Sequence, residues 1–204
     1  SEFIANELRK TGYWSHLHVI SNGIDPDFVG MRKKEKSPEL RDRFVILSVG
    51  RFSREKRQEL LLKAIAMNRH ADRIQVILAG QGPKRDKLEK QGASLPNLPI
   101  INFYSKSDLL NVIAMSDLYV HTANAEIEAM SCMEAFAGGL VPVIANSEKS
   151  ATPQFALDKR SLFIADDPVD LSKKIDYWYE HPREREEMGA KYAALGEKYN
   201  LEAC

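Results

Sequence analysis

The chain has 204 residues, 44% hydrophobic and 28% charged, which suits one globular domain with short flanking pieces. Lys plus Arg equal Asp plus Glu at 29 each, so no basic surplus points to nucleic acid. The two cysteines, Cys132 and Cys204, make no disulfide framework, and no Cys/His spacing suits zinc. No apolar run approaches the ~20 residues of a membrane span, no signal-peptide pattern opens the sequence, and a reducing cytosol is the simplest setting.

In chain order, residues 1–12 read as a short amphipathic helix with Phe3, Ile4 and Leu8 on one side. Residues 17–21 alternate like a strand and end at the turn signal Asn22-Gly23, and 31–42 read as a charged, mobile connector. Residues 44–49 form an apolar run ending in Gly50, as a buried strand would, and 55–68 carry a helical stripe of Leu61, Leu62, Ile65 and Ala66. Between them lies Gly50-Arg51-Phe52-Ser53-Arg54-Glu55-Lys56-Arg57. Glycine after a strand followed by cations suits a phosphate, although surface Arg and Lys are more often simply solvated.

The next strand, 74–79, ends in Gly80-Gln81-Gly82-Pro83 before a helix over 84–91. That Gly-x-Gly lacks the third glycine of a dinucleotide fingerprint, and a structural turn is its plainer reading. A strand over 99–103, a helix over 107–115 and a strand over 117–121 follow. His121 ends the last of these, where a lone histidine is more often structural than catalytic. Helical character is expected at 153–157, a strand at 161–164, and helices at 170–180 and 183–199, the last begun by Pro182. Strands alternating with helices argue for a Rossmann-like α/β domain, a parallel sheet with helices on both faces.

The densest stretch runs from Glu126 to Ala145. It reads as a loop, a helix of small apolar residues stopped by Gly138-Gly139, and a buried strand over 141–145. Glu126 stands at the loop entrance and Glu134 in the helix's opening region, where free N–H groups also gather. Carboxylates and backbone donors side by side suit a ligand bearing both hydroxyls and phosphate. Glu134 reads equally well as a partner of the helix dipole alone.

Glu-x7-Glu followed by Ala-Phe-Ala-Gly-Gly-Leu-Val-Pro-Val-Ile-Ala resembles the signature of the retaining family-four (group 1) glycosyltransferases of the GT-B fold. Val19-Ile20-Ser21-Asn22-Gly23-Ile24-Asp25 is similar to the segment opening that family's C-terminal domain, and Val49-Gly50-Arg51 with Lys56 is similar to its Val-Gly-Arg-x-x-x-x-Lys. Two loop glycines of the usual form are replaced by Ile127 and Ala129. The resemblance implies one half of a two-domain GT-B architecture. Residues 1–16 would be a remnant of the N-terminal domain or a linker, 17–199 the nucleotide-sugar-binding domain, and 200–204 a tail.

It also implies transfer of a hexose from a nucleoside diphosphate sugar, UDP-linked in most of the family, with retention and without a cofactor or metal. Arg51 and Lys56 would bind the diphosphate and Glu126 the transferred sugar. Glu134 would take the ribose, with Gly50, Gly80, Gly82, Phe103, Met130 and Ser131 around the nucleotide. The 103–106 loop would hold the base through backbone groups. The acceptor, whether saccharide, lipid or protein, is not legible. The partners expected are the donor, that acceptor and an N-terminal GT-B domain, with no nucleic acid. The expected location is cytoplasmic, with peripheral contact at the inner face of a membrane left to the other domain. A half-enzyme of this kind is expected to be inactive alone. Two rivals stand: a non-catalytic sugar-nucleotide-binding module, and a dinucleotide-dependent oxidoreductase or epimerase domain, whose glycine fingerprint is missing after the first strand.

Overall fold

A computed structural model of the chain describes residues 2–13, 16–18 and 22–201. Its elements are α1 (Glu2–Lys10), β1 (Phe44–Val49), α2 (Gln58–Ala66), β2 (Ile74–Ala79), α3 (Arg85–Gly92), β3 (Ile100–Asn102) and α4 (Lys106–Met115). They continue as β4 (Leu118–His121), α5 (Met130–Ala137), β5 (Pro142–Asn146), β6 (Leu162–Ile164), α6 (Pro168–Glu180) and α7 (Pro182–Glu197). The strand expected at 17–21 falls mostly on residues outside the described set.

The strands form one parallel sheet in the order β3-β2-β1-β4-β5-β6. Parallel neighbours require crossovers, and helices supply them on both faces. The register runs Phe44↔Ile74 to Val49↔Ala79 on one side of β1 and Ile46↔Leu118 on the other. The chain therefore reverses its winding between β1 and β4. At such a reversal the loops leaving the strand ends part, and open α/β sheets bind their ligands in the gap. The α/β, Rossmann-like expectation holds.

The central strands are apolar on both faces because both are covered; Val45, Ile46, Leu47, Leu118, Val120, Val143 and Ile144 are fully buried. Helix α7 lies directly on α5. A Cβ added at Gly189 would stand 2.5 Å from the Gly139 carbonyl oxygen, and one at Gly196 2.5 Å from Ala137 Cα. Tyr192 is buried against Phe136, their ring centroids 5.9 Å apart.

Three local expectations are corrected. The helix expected over 55–68 starts only at Gln58, because Arg57 takes a left-handed backbone (φ 54°) that no right-handed helix contains, so Lys56 sits in the preceding turn. The 31–42 connector is tied down: the Lys34 N–H donates to the Ala114 carbonyl at 3.1 Å, and the Lys36 ammonium donates to the Arg43 carbonyl at 2.7 Å and pairs with Asp117. Residues expected to be helical at 153–157 form only a 3-10 turn, Thr152–Phe155.

Candidate functional site

Two neighbouring clefts open at the carboxyl ends of the strands. The first, of about 590 Å³, is lined by the end of β1 with Gly50 and Arg51, by Ala79 to Gly82 after β2, and by Phe103, Tyr104 and Leu109. The second, of about 520 Å³, is lined by Asn22, Lys56, residues 126–131 and Glu134. Lys56 stands at their boundary: a Cβ built on Gly50 would lie 3.6 Å from Lys56 Cδ. The structure thus gathers Arg51, Gly50, Gly80, Gly82 and Phe103 in one cleft, and Lys56, Glu126, Glu134, Met130 and Ser131 in the other.

The Gly-x-Gly after β2 has a packing cause. The sheet ladder continues past the strand ends, with the Gly50 N–H donating to the Ala79 carbonyl at 2.9 Å and the Phe52 N–H to the Gln81 carbonyl at 2.9 Å. The loops then touch backbone to backbone. A Cβ at Gly80 (φ 158°) would meet the Gly50 oxygen at 2.0 Å, and one at Gly82 (φ 153°) the Phe52 oxygen at 2.6 Å. Glycines here keep the cleft floor low enough for a ligand to approach the main chain.

Arg51 is exposed, and among the described residues its guanidinium makes no hydrogen bond or close ion pair, its charge acting on Glu55 from further off. Its carbonyl accepts from Gln58 Nε2 at 3.0 Å, which fixes the loop that presents it. Lys56 and Glu126 form an ion pair. The Glu126 segment is itself clamped by the 147–151 loop, the Ala151 N–H donating to the Glu126 carbonyl at 2.8 Å.

At the site loop, Ala129 adopts φ 55°, ψ 49°, the left-handed geometry a glycine would take without strain, so the loop keeps its turn despite the substitution. Helix α5 then starts at Met130, with the first N–H groups free of intrahelical partners. Glu134 therefore lies a full turn inside the helix and does not head it. The dipole falls off within the first turn, and burial governs instead: the Glu134 carboxyl is lifted to about 7, Asp25 adding to the rise and Lys106 opposing it.

Sequence reasoning gave His121 a structural role and did not see what surrounds it. His121 is 3% exposed, and its Nε2 lies 3.7 Å from Glu126 Oε2 with no hydrogen-bond partner among the described residues. Glu128 was also missed: it accepts from the Asn22 N–H at 2.7 Å and from the Asn22 amide, tying the 22–25 segment to the site loop. The Asn22 partner of Glu128 comes from 106 residues away, which no spacing in the sequence signals, whereas Glu126 lies five residues past His121 and only the turn between them brings the two groups together. Among the described residues no cluster of three or more His, Cys, Asp or Glu is placed to hold a metal, and no helix is long and apolar enough to cross a membrane.

A doubly wound parallel sheet with a cationic, carboxylate-lined crevice at its winding reversal is an α/β, Rossmann-like domain of the GT-B kind. The family described as Glycosyl transferases group 1 matches residues 31–194, and the chain belongs to that family. The catalytic domain of cholesterol-alpha-glucosyltransferase from Helicobacter pylori is similar at 44% identity and a TM-score of 0.74, over 77% of this chain and 99% of that one. Anabaena HepE, solved with UDP, superposes with a TM-score of 0.80 at 20% identity over 96% of this chain and 57% of that one, a likeness of fold. The uncharacterized glycosyltransferase YqgM of Bacillus subtilis is 27% identical over 139 residues, 66% of this chain. The chain spans 38% of the length of that curated relative and 36% of the related Bacillus subtilis EpsF.

Proposed function

We propose that this chain is the donor-binding half of a retaining hexosyltransferase that uses a uridine diphosphate hexose. One observation carries the reading: Arg51, Lys56, Glu126 and Glu134, drawn from two separate stretches, converge on the crevice between β1 and β4. Arg51 and Lys56 stabilise charge developing on the departing diphosphate by charge-assisted hydrogen bonds, so no metal is called on for that task. Glu134 accepts from ribose hydroxyls and Glu126 from hexose hydroxyls; as acceptors they fix orientation without moving a proton. The uracil lies in the first cleft beside Phe103, which is 62% exposed there. The UDP and UDP-glucose complexes of HepE support the choice of donor.

The likeness to a cholesterol-alpha-glucosyltransferase favours glucose as the sugar, an α product and a sterol as the acceptor. The apolar Ile127, 65% exposed next to Glu126, suits an apolar acceptor at the mouth. Positioning of donor and acceptor in one cleft can supply roughly 7–11 kcal/mol of the barrier, so this chain by itself binds donor without useful transfer. The test is calorimetry of the chain with UDP-glucose, with and without chelator. It is paired with transfer assays on the protein carrying both domains, using cholesterol and reading the anomeric configuration of the product by NMR. Absence of UDP-glucose binding, or binding abolished by chelator, would reject the reading.

A further inference from the structure

The buried histidine behind Glu126 has no task in the scheme above. Its other ring nitrogen, Nδ1, lies 3.3 Å from the Tyr119 hydroxyl, and that hydroxyl lies 3.2 Å from Ser131 Oγ. Ser131 Oγ in turn lies 3.3 Å from the Val49 carbonyl at the end of β1. A file of polar groups thus runs from the first turn of α5, through the interior of β4, to the Glu126 carboxylate. Tyr119 is fully buried.

The proton inventory gives the file a direction. An ionised carboxylate only accepts, so a ring nitrogen that faces it stably must carry a proton. His121 is held neutral, burial and the Lys56 charge depressing it to about 3. With Nε2 protonated, Nδ1 accepts from the Tyr119 O–H, and the single Ser131 hydroxyl hydrogen is shared between the Tyr119 oxygen and the Val49 carbonyl, which can only accept. The reverse order would set a nitrogen lone pair against the carboxylate. At 3.7 Å the Nε2–H of His121 is short of a hydrogen bond. In the free protein Lys56 holds Glu126 instead.

We infer that His121 is a positioning residue for Glu126: when the donor's diphosphate draws Lys56 away, the Nε2–H of His121 takes up the carboxylate and aims it at the hexose. The inference rests on the donor reading proposed above. Lys56 has three N–H donors, and each one turned to the phosphate is lost to Glu126; His121 is the neutral donor already buried at the spot. The Tyr119 hydroxyl at Nδ1 holds the ring in place, as an orienting group holds a ligating or catalytic imidazole.

The experiment compares wild type, His121→Phe, His121→Gln and Tyr119→Phe in the protein carrying both domains. It reads Kd for UDP and for UDP-glucose, kcat, donor KM and Tm. UDP-glucose binding by wild type checks the donor reading separately, so failure there sinks that reading and not this one alone. His121→Phe is expected to leave Kd for UDP within about twofold. It should lose about fivefold or more of the affinity the glucosyl group adds and lower kcat about tenfold or more, as loss of orientation does. Gln, whose amide nitrogen reaches near the Nε2 position, should restore part of both. Tyr119→Phe, which removes the hydroxyl that holds the ring at Nδ1, should act in the same direction more weakly and covers the case in which His121→Phe does not fold. Equal losses for UDP and UDP-glucose, or an unchanged ratio in folded variants, would overturn the proposal.

Discussion

Lys56 and Glu126, 70 residues apart in the chain, close on each other as an ion pair whose side chains are 21% and 16% exposed. The two groups assigned to the diphosphate and the hexose therefore occupy one another in the free protein. On the proposed reading, the diphosphate draws Lys56 toward itself, and a ligand bearing only one of the two chemistries compensates only one partner.

Glu126→Gln is accordingly expected to free Lys56 and tighten bare UDP by about 2–5-fold, the order of an ion pair worth up to ~1 kcal/mol. Turnover of the protein with both domains should fall about 100-fold as the hexose loses its alignment. Calorimetry with UDP beside steady-state kinetics checks both; weakened UDP would show that the pair does not compete with the phosphates.

Folded Glu134 titrates at about 7 against 4.5 for the unfolded carboxyl, so between those values the native state holds the extra proton. Its burial costs nothing below about 4.5, costs more as pH rises, and costs most above about 7. Glu134→Gln, which stays neutral, should raise Tm relative to wild type near pH 8 and leave it unchanged near pH 4. Ribose hydroxyls favour the ionised carboxylate, so UDP binding near pH 6.5 should release protons and strengthen as pH rises to about 8. Titrations in buffers of different ionisation enthalpy measure that release, and zero release would contradict the ribose assignment.

Gly80→Ala and Gly139→Ala separate overlap from backbone strain. The added carbon at Gly80 meets the Gly50 oxygen at 2.0 Å, while at Gly139 (φ 84°) nothing lies within 4 Å. The expected costs are about 3–5 kcal/mol for the first, since main chain must move, and about 1 kcal/mol for the second. Only the first should also abolish UDP binding. Denaturant midpoints and nucleotide titrations decide, and similar costs at the two positions would reject the close-approach account of the glycine turn.

Arg51→Ala should leave Tm unchanged, because the side chain is exposed and makes no hydrogen bond or close ion pair among the described residues. It should weaken UDP about 10-fold or more, the loss of one charge-assisted contact of roughly 1.5–3 kcal/mol, and leave uridine unaffected. Equal loss for uridine and UDP would place Arg51 away from the phosphates.

The sheet was legible because each central strand is a mostly apolar run closed by glycine or a polar turn, and the alternation with helices admits few topologies. The site residues were legible as types at spacings, although only the structure shows that Lys56 and Glu126 touch. What escaped were the places where an ordinary residue holds an unusual backbone. Arg57 and Ala129 both sit left-handed without being glycine, so the starts of α2 and α5 read wrongly, and with them the place of Glu134. The lysines at 33, 34 and 36 looked like solvent-facing charge because their acceptors, the carbonyls of Ser116 and Arg43, Asn111 and Asp117, are supplied by the fold. His121 escaped although Tyr119 and Glu126 are near it in sequence, because only the turn after β4 brings Glu126 back against the buried ring.

The packing of α7 on α5 also sets an order of assembly. During synthesis the helix that carries Glu134 emerges some 50 residues before Gly189 and Gly196, which close over its far side. Until then Phe136 has no Tyr192 to cover it, and the loop holding Glu126 leans on an unsupported neighbour. The candidate crevice is thus expected to form late in folding, although its residues lie mid-chain. Ribosome-bound chains arrested before residue 182 should be cleaved by protease within 126–140, and chains arrested after α7 has left the exit tunnel should resist it.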